Sequence, residues 1–284
     1  MLLPFVADDA VSMEIASLSA LALGFVFVGS GNGEVAGTIL QTLIEREVKY
    51  LDEKWSRFMV LGLALLYLGL QEGSDATIET LKIIEHPISK QAQILVDICS
   101  FAGTGNVLKV QTMLHHCDEH IEKPKVEDDK KGDKKDDDKK DEEKKDEKEE
   151  DKEPPKPVDD TFQAFAVLGI VLVAMGEDVG AEMSLRQLNH LVCRSFDGNV
   201  LDLTSLHQMH YGEPVIRKAV PLALGLVSAS NPQLDIMDTL SKYSHDNDLQ
   251  VALNAIFAMG LIGAGTNNAR LAQMLRQLAG YYAK

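Results

Sequence analysis

Six times along the chain, an apolar segment rich in glycine and alanine is followed by a short Gly/Ser/Asn turn and then by a segment with one apolar stripe. The first unit runs through Ser17-Leu-Ser-Ala-Leu-Ala-Leu-Gly-Phe-Val-Phe-Val-Gly-Ser-Gly-Asn to Ile39-Leu-Gln-Thr-Leu-Ile, and the last through Ala255-Ile-Phe-Ala-Met-Gly-Leu-Ile-Gly-Ala-Gly-Thr-Asn-Asn to Leu271–Leu278. The turns align at Gly29, Gly69, Gly103, Gly176, Ser230 and Gly263, with spacings of 40, 34, 73, 54 and 33. A base period of 33 to 40 is that of two-helix solenoid repeats. The expected fold is all-α.

The two helices of a unit differ for a physical reason. The first is apolar nearly all round, so it calls for cover on every side. Its small residues (Ala20, Gly24; Gly62, Ala64; Ala223, Gly225; Ala258, Gly260) allow backbones to approach closely. Glycine costs about 1 kcal/mol relative to alanine inside a helix, so its recurrence there points to tight packing. The second helix carries one stripe, such as Ile39, Leu40 and Leu43 or Leu271, Met274, Leu275 and Leu278. The sequence therefore predicts an inner layer of apolar helices backed by an outer layer of amphipathic ones.

Two spacings are too long and require insertions. Residues 122–153 hold 12 lysines and 17 acids with almost no apolar side chains. Such a segment cannot bury enough surface to offset its ordering entropy, and a disordered loop is expected. The second insertion, at about 193–209, is either a surface loop or retained non-coding sequence. The expected organisation is three repeats over 1–117, a charged loop over 118–160, and three repeats over 161–284.

Charge narrows the partners. The net charge is −16; the loop contributes −5 and the remainder −11. Phosphate repulsion argues against nucleic acid, and the same sign argues against an anionic membrane surface. Basic faces of other proteins fit better. The longest apolar run, Leu18–Val28, is far short of the roughly 20 residues that span a bilayer, and no basic region precedes it, so no signal peptide is expected. Cys99, Cys117 and Cys193 form no disulfide framework and read as reduced thiols.

Several motifs invite chemical readings. Gly29-Ser-Gly-Asn resembles a phosphate loop, but no strand precedes it, no Lys-Ser/Thr follows, and related turns recur at Gly103 and Gly263. His115-His-Cys-Asp-Glu-His120 places His116 and His120 one helical turn apart but lacks a second ligand pair. Trp55 and Phe58, at the start of an inner helix, read as packing residues. No metal, cofactor or catalytic set is expected.

The Ala-Leu-Gly…Gly-Ser-Gly-Asn pattern resembles the proteasome/cyclosome repeat. More specific are Ala166-Val-Leu-Gly-Ile, Met175-Gly-Glu-Asp-Val-Gly-Ala-Glu-Met, Val220-Pro-Leu-Ala-Leu-Gly-Leu-Val-Ser, Leu240-Ser-Lys-Tyr-Ser-His-Asp and Phe257-Ala-Met-Gly-Leu-Ile-Gly-Ala-Gly-Thr-Asn-Asn-Ala-Arg. Together they resemble the family's scaffold members in the base of the 26S proteasome regulatory particle. That resemblance implies an α-toroid, here a partial ring, in the cytoplasm and nucleus. It implies a non-catalytic scaffold meeting proteasomal ATPase subunits and other regulatory particle subunits. Its outer helices would dock ubiquitin chains, the ubiquitin-like domains of shuttle factors and a deubiquitinase. A generic helical-repeat adaptor, or an anaphase-promoting-complex-type repeat subunit, is the alternative.

By position, the first three repeats resemble the family's ubiquitin-binding region. Asp75 and Glu79 are i, i+4 on one helix face, at an end where negative charge is tolerated. Ubiquitin-like folds present an apolar patch ringed by basic residues, so Asp75 and Glu79, supported by Glu72, are the expected contacts.

Overall fold

The computed structural model describes residues 2–119, 159–175, 178–196 and 214–283. Residues 120–158 of the expected 118–160 loop, most of the 193–209 insertion, Gly176 and the Cys193 side chain lie outside the described residues, whereas Asp118 ends a helix and Glu119, Asp159 and Asp160 are described. Among those described there is no strand, and no helix is long and apolar enough to cross a membrane.

The inner helices are α2 (Met13–Val26), α5 (Ser56–Leu66), α7 (Pro87–Phe101), α9 (Thr161–Ala174), α11 (Pro214–Val227) and α13 (Leu249–Gly263). Each packs on the next in that order. The outer helices are α3 (Gly33–Glu45), α6 (Asp75–Leu81), α8 (Val107–Asp118), α10 (Asp178–Phe196), α12 (Leu234–Tyr243) and α14 (Ala269–Tyr282). Two short helices, α1 (Leu3–Ala7) and α4 (Val48–Leu51), precede α2 and α5. The fold is thus an all-α solenoid of helix pairs.

The core is continuous through α7, whose two faces serve different neighbours. Ile88, Ala92 and Val96 pack with α2 and α5, whereas Ile94 and Ile98 pack with α9 and beyond. Glycine sets the closest approach. A Cβ on Gly24 would lie 2.5 Å from the Gly62 carbonyl oxygen, and one on Gly62 would lie 2.5 Å from that of Ala20. Gly225 is saddled against Ala258, and Gly169 against Ile98.

The recurring turn has a use for each residue. Gly29, Gly31, Gly69, Gly103 and Gly105 all have positive φ, where a side chain would be strained. The residue between the paired glycines returns its hydroxyl to the helix it leaves: Ser30 to Phe27 O at 2.6 Å and Thr104 to Phe101 O at 2.7 Å. The asparagine that follows caps the outer helix. Asn32 accepts from the Glu34 and Val35 amides, Asn106 from those of Leu108 and Lys109, and Asn268 from those of Arg270 and Leu271. Asn106→Ala should cost about 1 kcal/mol of stability, read as a lower urea midpoint.

The turn amides also join one repeat to the next. Gly29 N–H donates to Leu65 O at 3.0 Å and Gly31 N–H to Leu66 O at 2.9 Å. Gly69 N–H donates to Cys99 O at 3.0 Å, Gly103 and Gly105 N–H to Leu172 O and Val173 O at 2.8 Å, and Ser230 N–H to Leu261 O at 3.1 Å. Four of the turns thus add a bond to carbonyls at the C-terminal end of the next inner helix, where intrahelical bonding runs out. These bonds answer the phosphate-loop reading: the amides already hold carbonyl oxygens.

In three places the structure differs from the sequence expectation. The sixth turn is centred on Gly265 and Asn267, which have φ of 71° and 51°, while Gly263 is the last residue of α13. The second and fifth repeats do not enter their outer helices through an asparagine cap: a 3₁₀ turn over Gln71–Ser74 leads into a short α6, and Gln233 precedes α12 without a side-chain cap. The inner helices are not all covered. α2 exposes Ile15, Leu18, Phe25 and Val26, and α13 exposes Leu253 and Phe257, because these helices end the row.

The joint between α8 and α9 is closed by polar side chains. Buried Gln163 donates to the carbonyls of Glu119 at 2.9 Å and His116 at 3.4 Å, at the end of α8. Asp159 accepts from Gln91 at 2.5 Å and from the Thr161 amide at 3.0 Å.

Candidate functional site

Glu72, Asp75 and Glu79 all lie exposed on the outer side of the second repeat. Glu72 belongs to the 3₁₀ turn, Asp75 opens α6, and Glu79 stands one turn further on. The structure separates their roles. Glu79 is engaged by Lys82 at 2.6 Å. Asp75 and Glu72 have no ion-pair partner among the described residues. Asp75 alone of the three lines a cleft of about 480 Å³ between α6, α7 and α8.

That cleft contains groups the sequence reading did not select. Ile78 and Ile84 give it an apolar side, and Lys90, Lys109, His86, His116 and Asp97 a polar one. The basic groups are already matched. Lys109 bonds Asp97 at 2.7 Å and lies 4.4 Å from the Phe101 ring centroid. Lys90 bonds Glu119 and lies 4.0 Å from the Phe162 ring centroid. His86 meets Asp52 at 3.0 Å while its Nδ1 accepts from the Ile88 amide. Unmatched acid therefore remains at the α6 rim. Beyond α6, Ile83 is 67% exposed and adds an apolar surface beside the acids. Its signal in the sequence was the Ile83-Ile84 pair after a short helix, which cannot turn both side chains inward.

Glu119 carries the clearest electrostatic effect here. Partial burial pushes its carboxyl up, but hydrogen bonds and charge from Lys90 and His116 outweigh this and hold it below the usual range. A depressed carboxyl contributes stability that is complete above its unfolded pKa, about 4.3, and is lost as pH falls through the folded value. Glu119→Gln should therefore be less stable than wild type at pH 7, and the gap should close on acidification below about pH 4 in paired denaturation curves.

The His115–His120 segment does not gather ligands in the described region. His116 Nδ1 is 2.8 Å from Glu119, and Cys117 turns into the core. Among the described residues no three His, Cys, Asp or Glu side chains converge as metal ligands. Burial pushes the Cys117 thiol up to about 12, with Asp118 adding to the effect, and the Cys99 thiol up to about 11. Both are protonated at neutral pH and poor nucleophiles. Trp55 is half-buried, but Phe58 is exposed, contrary to the packing role expected of it.

The arrangement is a docking surface: acids at one rim, apolar groups beside them, and paired charges behind. Known proteins agree with the repeat architecture. Residues 254–283 match the proteasome/cyclosome repeat. The chain is 54% identical over 284 residues, its whole length, to the 26S proteasome regulatory subunit rpn1 of Schizosaccharomyces pombe, of which it covers 27%. It is 51% identical over 99% of its length to rpn-1 of Neurospora crassa, covering 26%. It is 40% identical over 99% of its length to the 26S proteasome non-ATPase regulatory subunit 2 homolog A of Arabidopsis thaliana, again covering 26%. The chain spans about a quarter of the length of these relatives. Helix pairs joined turn to carbonyl, the repeat matched over residues 254–283 and end-to-end similarity point one way: the chain is similar to proteasome regulatory subunits and carries a proteasome/cyclosome repeat.

Proposed function

We propose that the chain serves as part of a non-catalytic scaffold in the base of the 26S proteasome regulatory particle. Its setting is the cytoplasm and nucleus, beside the proteasomal ATPase subunits and other regulatory particle subunits. Its outer helices dock ubiquitin chains, the ubiquitin-like domains of shuttle factors and a deubiquitinase. Asp75 and Glu79 carry the contact, and Glu72 supports it. The observation that carries this reading is the exposed acidic rim of α6 set beside exposed Ile83. That combination complements a partner with an apolar patch ringed by lysines and arginines. Names shared by relatives of high identity support the proteasomal setting.

The test is charge reversal. Asp75→Lys combined with Glu79→Lys should weaken binding of ubiquitin or a ubiquitin-like domain by about 10-fold or more in a calorimetric titration. Both positions are exposed, so the thermal transition should stay within the change of about 0.5 kcal/mol usual for surface substitutions. Unaltered affinity in a folded double variant would remove the site from α6.

A further inference from the structure

Helix α7 opens with Pro87, which has no amide to satisfy, so its first open donor is the Ile88 N–H. That amide donates to ring nitrogen Nδ1 of His86, the residue before the helix, at 3.1 Å. A backbone N–H can only donate, so Nδ1 carries no proton. The imidazole is thereby fixed as the tautomer protonated on Nε2, and Nε2–H donates to Asp52 Oδ1 at 3.0 Å. Caps elsewhere are of another kind: asparagine on α3, α8 and α14, and Asp248 on α13. Those oxygens keep their acceptor character in mild acid; an imidazole nitrogen does not.

The ring is enclosed, with its side chain 9% exposed. Charged and titratable groups surround it from each element at this corner. Asp52 reaches it from the end of α4. Asp75 of α6, Lys90 and Asp97 of α7, and Lys109 and His116 of α8 line the cleft that His86 also lines. Four of these are engaged with one another or nearby: Lys90 and His116 with Glu119, and Lys109 with Asp97. Asp52 is the charge in contact with the ring.

A second proton on this ring has one place to go, which is Nδ1. It removes the acceptor of the Ile88 amide and leaves two donors facing each other. It also sets a positive charge at a helix N-terminus, where the dipole disfavours it. Asp52 attracts the imidazolium and so keeps protonation within reach. The same turn of α7 grips its neighbour. The Ser89 amide donates to His86 O at 2.9 Å, and the Ser89 hydroxyl donates to Leu81 O, at the end of α6, at 2.6 Å.

We infer that His86 is a proton-operated cap: acid opens the first turn of α7 and loosens its corner with α6. The cap is complete while the ring is neutral and is lost as pH falls. His116 responds differently, because its Nδ1 faces the Glu119 carboxylate instead of an amide, and a proton there reinforces the contact. The device belongs to the fold and operates whether or not α6 docks a partner.

The test is NMR of the 284-residue chain at about pH 7.5 and about pH 5.5, a span in which imidazoles change charge. At the higher pH, long-range proton–nitrogen correlations should show His86 as the Nε2–H tautomer. At the lower pH, the Ile88 and Ser89 amides should lose protection by about fivefold once exchange is corrected for its intrinsic pH dependence, the factor that loss of one cap gives. Glu119 does not interfere, since its contribution falls away only below about pH 4. His86→Asn supplies an oxygen acceptor at the same position that takes up no proton in this span. It should keep the protection at both pH values, whereas His86→Ala should show the lowered protection at both. An Nδ1–H tautomer at the higher pH would overturn the inference. So would wild-type protection that is equal at the two pH values, or a loss of the same size in His86→Asn.

Discussion

Gly24→Ala should destabilise the protein, and Gly260→Ala should stabilise it, although both place the same methyl group inside an inner helix. Helix propensity favours alanine over glycine by about 1 kcal/mol at either position. At Gly260 nothing opposes this, since no atom lies within 4 Å of the added carbon. At Gly24 the added carbon would sit 2.5 Å from Gly62 O, 2.7 Å from its Cα and 2.9 Å from its carbonyl carbon. All three are backbone atoms, so no side chain can rotate away. Helices α2 and α5 must separate, and a whole joint loosens. An overpacking penalty of about 3 kcal/mol exceeds the propensity gain, leaving a net loss of about 2 kcal/mol. Thermal melts at low protein concentration should show opposite signs for the two substitutions. Equal signs would mean that the α2–α5 contact is not the tight one described.

Arg46→Ala should release the N-terminal helix. The Arg46 side chain is buried, and its guanidinium donates to Asp8 O at 2.9 Å and to Asp9 O and Val11 O at 3.3 Å, with Asp9 Oδ1 3.5 Å from Nε. It thereby ties the segment between α1 and α2 to the end of α3. Removing it strands several carbonyls in a partly buried loop, at a cost of about 3 kcal/mol. The loss should be local. Hydrogen exchange in α1 should accelerate by about 100-fold while amides in α9 and α13 keep their protection. Arg46→Lys should rescue poorly, because one ammonium cannot span three carbonyls as a planar fork does. Uniform acceleration across all repeats would contradict this picture.

The helix pairs were legible because their two members differ in kind: glycine and alanine within apolar runs mark the inner layer, and single stripes mark the outer. The register of the sixth turn was not. Gly260-Leu-Ile-Gly-Ala-Gly offers several glycines, and period alone selected Gly263. The asparagine cap was the better ruler. It lies three residues after the first positive-φ residue at Gly29–Asn32 and Gly103–Asn106, and counting back from Asn268 gives Gly265. The exposed flanks of α2 and α13 were not legible either, since local pattern reports how apolar a helix is but not how many neighbours it has. At the candidate site, exposure of Glu72, Asp75 and Glu79 followed from their place near the start of an outer helix. The cleft behind Asp75 did not. It depends on Asp97 and Lys109 meeting from two different helices, and on Lys82 engaging Glu79, which leaves Asp75 as the acid that reaches the cleft.

The polar closure between α8 and α9 has a consequence for how the gene can change. Gln163 grips the carbonyls where α8 ends, and Asp159, held by Gln91, fixes the chain where α9 begins. One side of each clamp sits in a stacked helix, Gln163 in α9 and Gln91 in α7. Residues gained or lost between them leave the surrounding joint untouched, so this stretch can drift in length from one lineage to another while the architecture on either side stays under full selection.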